Sequence, residues 1–302
     1  MVNLPAVPAK VARLRAGSRR VGTRLSPDDV AGQMVWHCWP GTGGAKRALP
    51  LVLLHGGSGS WTHWLHAIEP LTAAGHTLWL ADLPGFGDSD APAGCVDVDG
   101  MIAPLAHGLE QLFGRASAGP VCDLVGFSFG GMAAGLLAAE YPQLVRSLTL
   151  VGAPGMGVTE GRAVRLKGWR HLASSEAQRE AHRYNLAALM LHDARLIDEE
   201  TLALHALNVA RDRLPRRRLS QTAILAEALA RVRAPVAAIY GEHDPLYQGR
   251  MAELEAVLRR QLGARLRWRL LPDAGHWVQH ERPTEFAAAL LAALDEMEEY
   301  PC

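Results

Sequence analysis

The chain has 302 residues, 49% of them hydrophobic, and its 31 basic and 31 acidic residues cancel to a formal net charge of zero. That length suits one large α/β domain carrying an insertion, with ample apolar material for a core. The charge balance gives no support for a polyanion-binding surface. The clusters Arg13, Arg15, Arg19 and Arg20, and Arg216, Arg217 and Arg218, lack interleaved aromatics and read as solvated faces.

Cys38, Cys95, Cys122 and Cys302 are scattered, with no Cys-x-x-Cys pair, against both a zinc site and a disulfide framework. The N-terminus alternates prolines and basic residues without the apolar run of a signal peptide, and no stretch has the length of a membrane span. The expectation is a soluble, cytoplasmic protein that handles a small molecule, with no nucleic-acid or membrane partner.

In chain order, residues 1–20 read as a loosely held leader with a short helix over 9–15. Strands are expected at 19–25 and Gln33–Trp39, around the turn Ser26-Pro27-Asp28-Asp29. Residues 50–54 form a short apolar run, as in a strand buried on both faces. It ends in His55-Gly56-Gly57-Ser58-Gly59-Ser60. A glycine-rich loop there leaves backbone N–H groups open to a ligand. The lysine of a nucleotide-binding loop is missing, so an oxyanion site fits better.

A helix is expected over 64–74, a strand over 76–81 and a helix over 97–113. Asp82, after that strand, reads as a turn-stabilising carboxylate. The strand over 121–125 leads into Gly126-Phe127-Ser128-Phe129-Gly130, followed by an alanine-rich helix that runs to about Tyr141. Strand, tight glycine-bounded turn and helix make a nucleophile elbow, with the Ser128 hydroxyl above the sheet edge at a helix N-terminus. Another strand spans Val145–Val151. From 161 to about 233 strand-like runs vanish and the chain is helical, which marks an inserted subdomain. Strands at 235–240 and 265–271 then resume, separated by a helix over 249–262 and closed by one over Pro283–Glu298. The division expected is a core domain of 1–155 and 234–302, with a helical cap of 156–233.

A serine hydroxyl is too weakly acidic to attack unaided; it needs a base, and the base needs a carboxylate to orient it. Asp244 lies just after one strand and His276 just after the next, so in a parallel sheet both converge on the edge that carries Ser128. His280 and Glu242 are the alternatives, but His280 falls at the start of the closing helix and Glu242 sits nearer its strand end. Gly57 and Phe129 are the candidate oxyanion donors, the second through the amide that follows the nucleophile. Gly56, Ser58, Trp61, Trp64, Phe127 and Trp277 lie beside these loops and are the candidate pocket residues.

Together, His55-Gly56-Gly57, Asp82-Leu83-Pro84-Gly85-Phe86-Gly87, the Ser128 elbow, Gly241-Glu242-His243-Asp244 and Gly275-His276-Trp277 resemble the α/β-hydrolase family with a helical cap. The resemblance implies a mostly parallel central sheet flanked by helices and a Ser-Asp-His order, with no metal or organic cofactor. Epoxide hydrolases and haloalkane dehalogenases of this family carry an aspartate where Ser128 stands and are disfavoured. The run Gly275-His276-Trp277-Val278-Gln279 resembles hydrolases that cut carbon–carbon bonds in meta-cleavage products. Those enzymes have asparagine where this chain has Phe127, and a cap arginine where the register puts His205, with Arg211 nearby. The expectation is therefore a carboxylic-ester hydrolase, with His205 as a pocket residue. The alternatives are a carbon–carbon hydrolase, a cofactor-free perhydrolase and a non-catalytic binding protein. A homodimer is compatible with an apolar cap surface.

Overall fold

The computed structural model describes residues 4–28, 32–43, 47–114, 119–158 and 164–299. Asp29 of the predicted turn and residues 159–163 of the predicted cap lie outside these.

Eight strands form one sheet: β1 (Arg19–Arg24), β2 (Gln33–Trp39), β3 (Leu51–Leu54), β4 (Leu78–Ala81), β5 (Cys122–Phe127), β6 (Val145–Val151), β7 (Val236–Gly241) and β8 (Leu266–Leu271). Their spatial order is β1-β2-β4-β3-β5-β6-β7-β8. β2 pairs antiparallel with both β1 and β4; from β4 to β8 every pairing is parallel. This is the mostly parallel sheet that the resemblance to the α/β-hydrolase family implies.

The central strands are buried on both sides, so their side chains alternate between two cores. Val52, Leu54 and Leu124 face a core with helices Ile102–Phe113, Phe129–Glu140 and Met251–Leu262. Leu51, Leu53, Val125 and Phe127 face another, closed by helices Ile68–Ala73 and Pro283–Glu298. The helix predicted over 64–74 divides: Trp61–Trp64 is a 3₁₀ turn and Ile68–Ala73 the α-helix. Ser60 caps the first, its hydroxyl accepting from the Thr62 amide.

Among the described residues no strand lies between β6 and β7. The segment holds helices Ser175–Asn185, Glu199–Ala210 and Ile224–Leu229, with a π-helical turn at Leu186–Met190. Polar links fasten it to the loops of the sheet: Arg211 to Asp88 (2.8 Å), the Arg213 amide to Gly85 O (3.1 Å), and Ser60 Oγ to Asn208 Oδ1 (2.8 Å). Among the described residues no helix is long and apolar enough to cross a membrane.

Candidate active site

β5 delivers Ser128 into a sharp turn before helix Phe129–Glu140. Its backbone is left-handed (φ 51°, ψ −119°), a costly conformation for a side-chain-bearing residue. The turn is held from several directions: the Ser128 amide donates to Val151 O at 2.7 Å, and Ser128 O accepts from the Gly131 and Met132 amides. A Cβ on Gly126 would lie 2.2 Å from Gly130 O, so only glycine lets strand and helix approach this closely.

β7 and β8 bring in the other two groups. A Cβ on Gly241 would lie 2.1 Å from Gly275 O, which measures how tightly the two strand exits pack. His276 Nδ1 is 2.8 Å from Asp244 Oδ2, and His276 Nε2 is 2.8 Å from Ser128 Oγ. The Leu246 amide donates to the other Asp244 oxygen at 2.9 Å, which fixes the carboxylate. Asp244 and His276 are buried; Ser128 is half-buried. With the proton on Nδ1 held toward Asp244, Nε2 is left to accept from the serine hydroxyl, the geometry a general base needs. His280 is not in this relay; it stacks on Trp277 with ring centroids 4.2 Å apart.

The loop after β3 lies against the elbow: the position of a Cβ on Gly57 is 3.5 Å from Phe129 Cβ. Two histidines brace it. His55 Nδ1 donates to Gly56 O at 2.7 Å while its Nε2 accepts from the Leu83 amide at 2.9 Å. His63 Nδ1 accepts from the Gly56 amide at 3.2 Å. Burial pushes His55 down to about 4 and His63 well below its ordinary value, so both serve as neutral rings. The Gly56 amide is thus engaged, and among the described residues nothing accepts from that of Gly57. Phe129 is the first residue of its helix, where an amide has no intrahelical acceptor.

Ser128 and His276 open onto a cavity of about 650 Å³. Gly56, Gly57, Ser58, Phe127 and Phe129 line it, joined by Leu166, Leu189, Met190 and the polar Ser220, Gln221 and Thr222 of the segment between β6 and β7. Trp61, Trp64 and Trp277 do not: they are buried in the sheet's second core. Trp277 Nε1 donates to His63 O at 2.9 Å, and Trp61 packs against His37 and Trp39. They adjoin the motif loops but point under them. His205 is not a cavity residue either; it packs edge-on against His182 within the insertion, and burial pushes it down to about 3.

The charged side chain at the cavity wall is Arg217, from a cluster that reads as a solvated face. It forks onto Asp212 at 2.8 and 3.0 Å, stacks over the rings of Phe86 and Phe129, and is only 17% exposed. Burial works to raise the Asp212 carboxyl, but the hydrogen bonds and charge of Arg217, together with the Ser58 hydroxyl and the Leu214 amide, hold it below its ordinary value. Glu281 also went unread in the sequence: its carboxylate accepts from the Gly275 amide (2.7 Å) and the Asp193 amide (2.6 Å), tying the His276 loop to the insertion. Nothing in the local sequence pattern marks it: Glu281 lies five residues beyond His276, the last residue of the short helix Val278–Glu281.

Among the described residues one group has donor atoms close enough for a metal ion: His37, Asp82 and Asp88, within 4.8 Å of one another. Asp82 already accepts two backbone amides, and Asp88 is paired with Arg15 and Arg211. That group is charge-balanced by its own neighbours.

Known proteins resemble this chain in sequence and in fold. The profile of the alpha/beta hydrolase family matches residues 51–289. The 2-hydroxy-6-oxo-6-phenylhexa-2,4-dienoate hydrolase of Comamonas testosteroni is 27% identical, over 91% of this chain and 96% of that protein. The 2-hydroxymuconate semialdehyde hydrolase of Pseudomonas sp. strain CF600 is 30% identical, over 79% of this chain and 84% of its own. Among solved structures, the esterase RhEst1 from Rhodococcus sp. ECU1013 superposes with a TM-score of 0.71 at 21% identity, covering 93% of this chain and 99% of that one. The chain belongs to the alpha/beta hydrolase family and is a hydrolase.

Proposed function

We infer that the chain is a serine hydrolase that cleaves carboxylic esters of small to medium apolar substrates. Ser128 Oγ adds to the ester carbonyl carbon as its proton passes to His276 Nε2, with Asp244 stabilising the imidazolium. The carbonyl oxygen becomes an oxyanion that accepts from the Gly57 and Phe129 amides. Collapse expels the alcohol with the proton from His276 and leaves an acyl-Ser128. Water, deprotonated by His276, then releases the acid and restores the hydroxyl.

One observation carries the ester reading: the charged side chain on the wall that the Ser128 relay opens onto, Arg217, is already neutralised by Asp212. A neutral ester suits such a wall better than an ionised dienoate, which would have to compete with Asp212 for the guanidinium. The second reading, carbon–carbon hydrolysis of a dienoate, is favoured by the names of the Comamonas and Pseudomonas relatives, which match this chain over 96% and 84% of their length. Nitrophenyl esters of graded acyl length, assayed beside one meta-cleavage dienoate, separate the two. Faster ester turnover is expected; faster dienoate turnover would reverse the assignment. On the same reading residues 156–233 act as a cap over the cavity, and the enzyme works in the cytoplasm without a cofactor.

A further inference from the structure

We propose that Asp212 and Arg217 are positioning residues: an ion pair contributed by the insertion that holds the loop of the oxyanion site in its working conformation. The inference rests on the serine-hydrolase reading of Ser128 and extends it to residues outside the relay.

Ser58 is the key observation. It follows Gly57 directly, and its φ is 52°, in the left-handed region that a residue with a side chain enters at a cost. Such a conformation persists only when its surroundings over-determine it. Here the Ser58 hydroxyl donates to Asp212 Oδ2 at 2.5 Å and accepts from Arg217 Nη2 at 3.2 Å. The pair is itself anchored. The Leu214 amide donates to Asp212 Oδ1 at 2.8 Å, and the Arg217 guanidinium also donates to Leu214 O.

The same guanidinium touches both halves of the oxyanion site. It lies 3.4 Å from the position of a Cβ on Gly57, and its Cζ sits 5.2 Å from the centroid of the Phe129 ring. One ion pair therefore sets the loop that carries one donor against the residue that carries the other. Because Asp212 and Arg217 belong to the insertion, the seating of that segment and the alignment of the Gly57 amide are coupled.

The test measures the rate of Ser128 phosphonylation by an alkyl fluorophosphonate, and kcat and KM on a nitrophenyl ester, with melting midpoints alongside. The variants are Arg217→Ala, Ser58→Gly and the two combined, with Ser128→Ala as the control. Arg217→Ala is expected to lower kcat and the labelling rate about tenfold, with KM within about threefold, a fraction of what removing a whole donor costs. In the Ser58→Gly background the same change should cost less than about threefold, because glycine adopts a positive φ freely.

Equal losses in both backgrounds, or a loss confined to KM, would overturn the proposal in favour of general packing or of substrate contact. If Arg217→Ala does not fold, Asp212→Asn combined with Arg217→Gln leaves no unpaired buried charge and carries the same comparison. A wild-type chain that does not label at Ser128 refutes the hydrolase reading and the proposal with it. Wild-type labelling at a rate the variants share refutes the clamp alone.

Discussion

Asp244 and His276 leave neighbouring parallel strands, whereas Asp212 and Arg217 come from an irregular stretch after helix Glu199–Ala210. Each pair puts one member, His276 or Arg217, on the same cavity, yet the two pairs are fixed by different means. The first is aimed by main-chain registry: β7 and β8 pair from Val236↔Leu266 to Gly241↔Leu271, and the loops emerge side by side. The second is aimed by side chains gripping other side chains and carbonyls. Main-chain registry is a property of the fold, so the placement of what it carries is insensitive to single side-chain substitutions elsewhere. Side-chain anchorage changes with single substitutions, and what it positions can differ from one relative to the next.

Substitutions in the two regions should therefore fail differently. The largest effect is expected for Ser128→Ala, which should lower kcat on a nitrophenyl ester by roughly 10⁴-fold or more with an unchanged melting midpoint. Retained turnover would break the comparison at its base. Asp244→Asn comes next, with a loss of roughly 10³- to 10⁴-fold at neutral pH because the imidazole tautomer is no longer held. A change confined to KM would contradict the role of that strand edge. Across the cavity, Met190→Ala should alter the ranking of acyl lengths by about tenfold in kcat/KM, the scale of a few methylenes in a pocket, while leaving turnover of the shortest ester nearly intact. An equal loss on every ester would make the insertion part of the chemical machinery.

The buried histidines should also show in the pH dependence of stability. Burial pushes both His37 and His55 down to about 4, from an ordinary value of 6.5. In the folded chain they stay neutral as pH falls, while the unfolded chain takes up protons first. Their stabilising effect is whole above pH 6.5 and is lost as pH falls toward 4, at up to about 1.4 kcal/mol per pH unit for each ring. The melting midpoint should fall over that window, less steeply in His37→Phe. Parallel curves would remove His37 from the account. The smallest catalytic effect is expected for Trp64→Phe. It should cost about 1–2 kcal/mol of stability as a core change, with KM altered by less than about twofold. A larger KM change would return Trp64 to the pocket.

The sequence was legible where local signals and topology agree. The elbow, the strand exits at Asp244 and His276, and the loop after β3 each combine an apolar run with a turn signal, and a parallel sheet brings such exits to one edge. Trp61, Trp64 and Trp277 were misread because proximity to a motif loop does not say which side of the sheet a ring takes. His205 was placed by register with relatives, and helices in an insertion rotate without disturbing that register. Arg217 reads as solvated because it sits in a run of three arginines. What buries it is Asp212, five residues earlier, and a fork between those two in irregular backbone has no periodicity to betray it.

The most direct test of the nucleophile is intact-mass and peptide-level analysis after treatment with an alkyl fluorophosphonate. One adduct per chain, located on Ser128 and absent from Ser128→Ala, is the predicted result. An unmodified wild-type chain, or an adduct on another residue with Ser128 untouched, would contradict it.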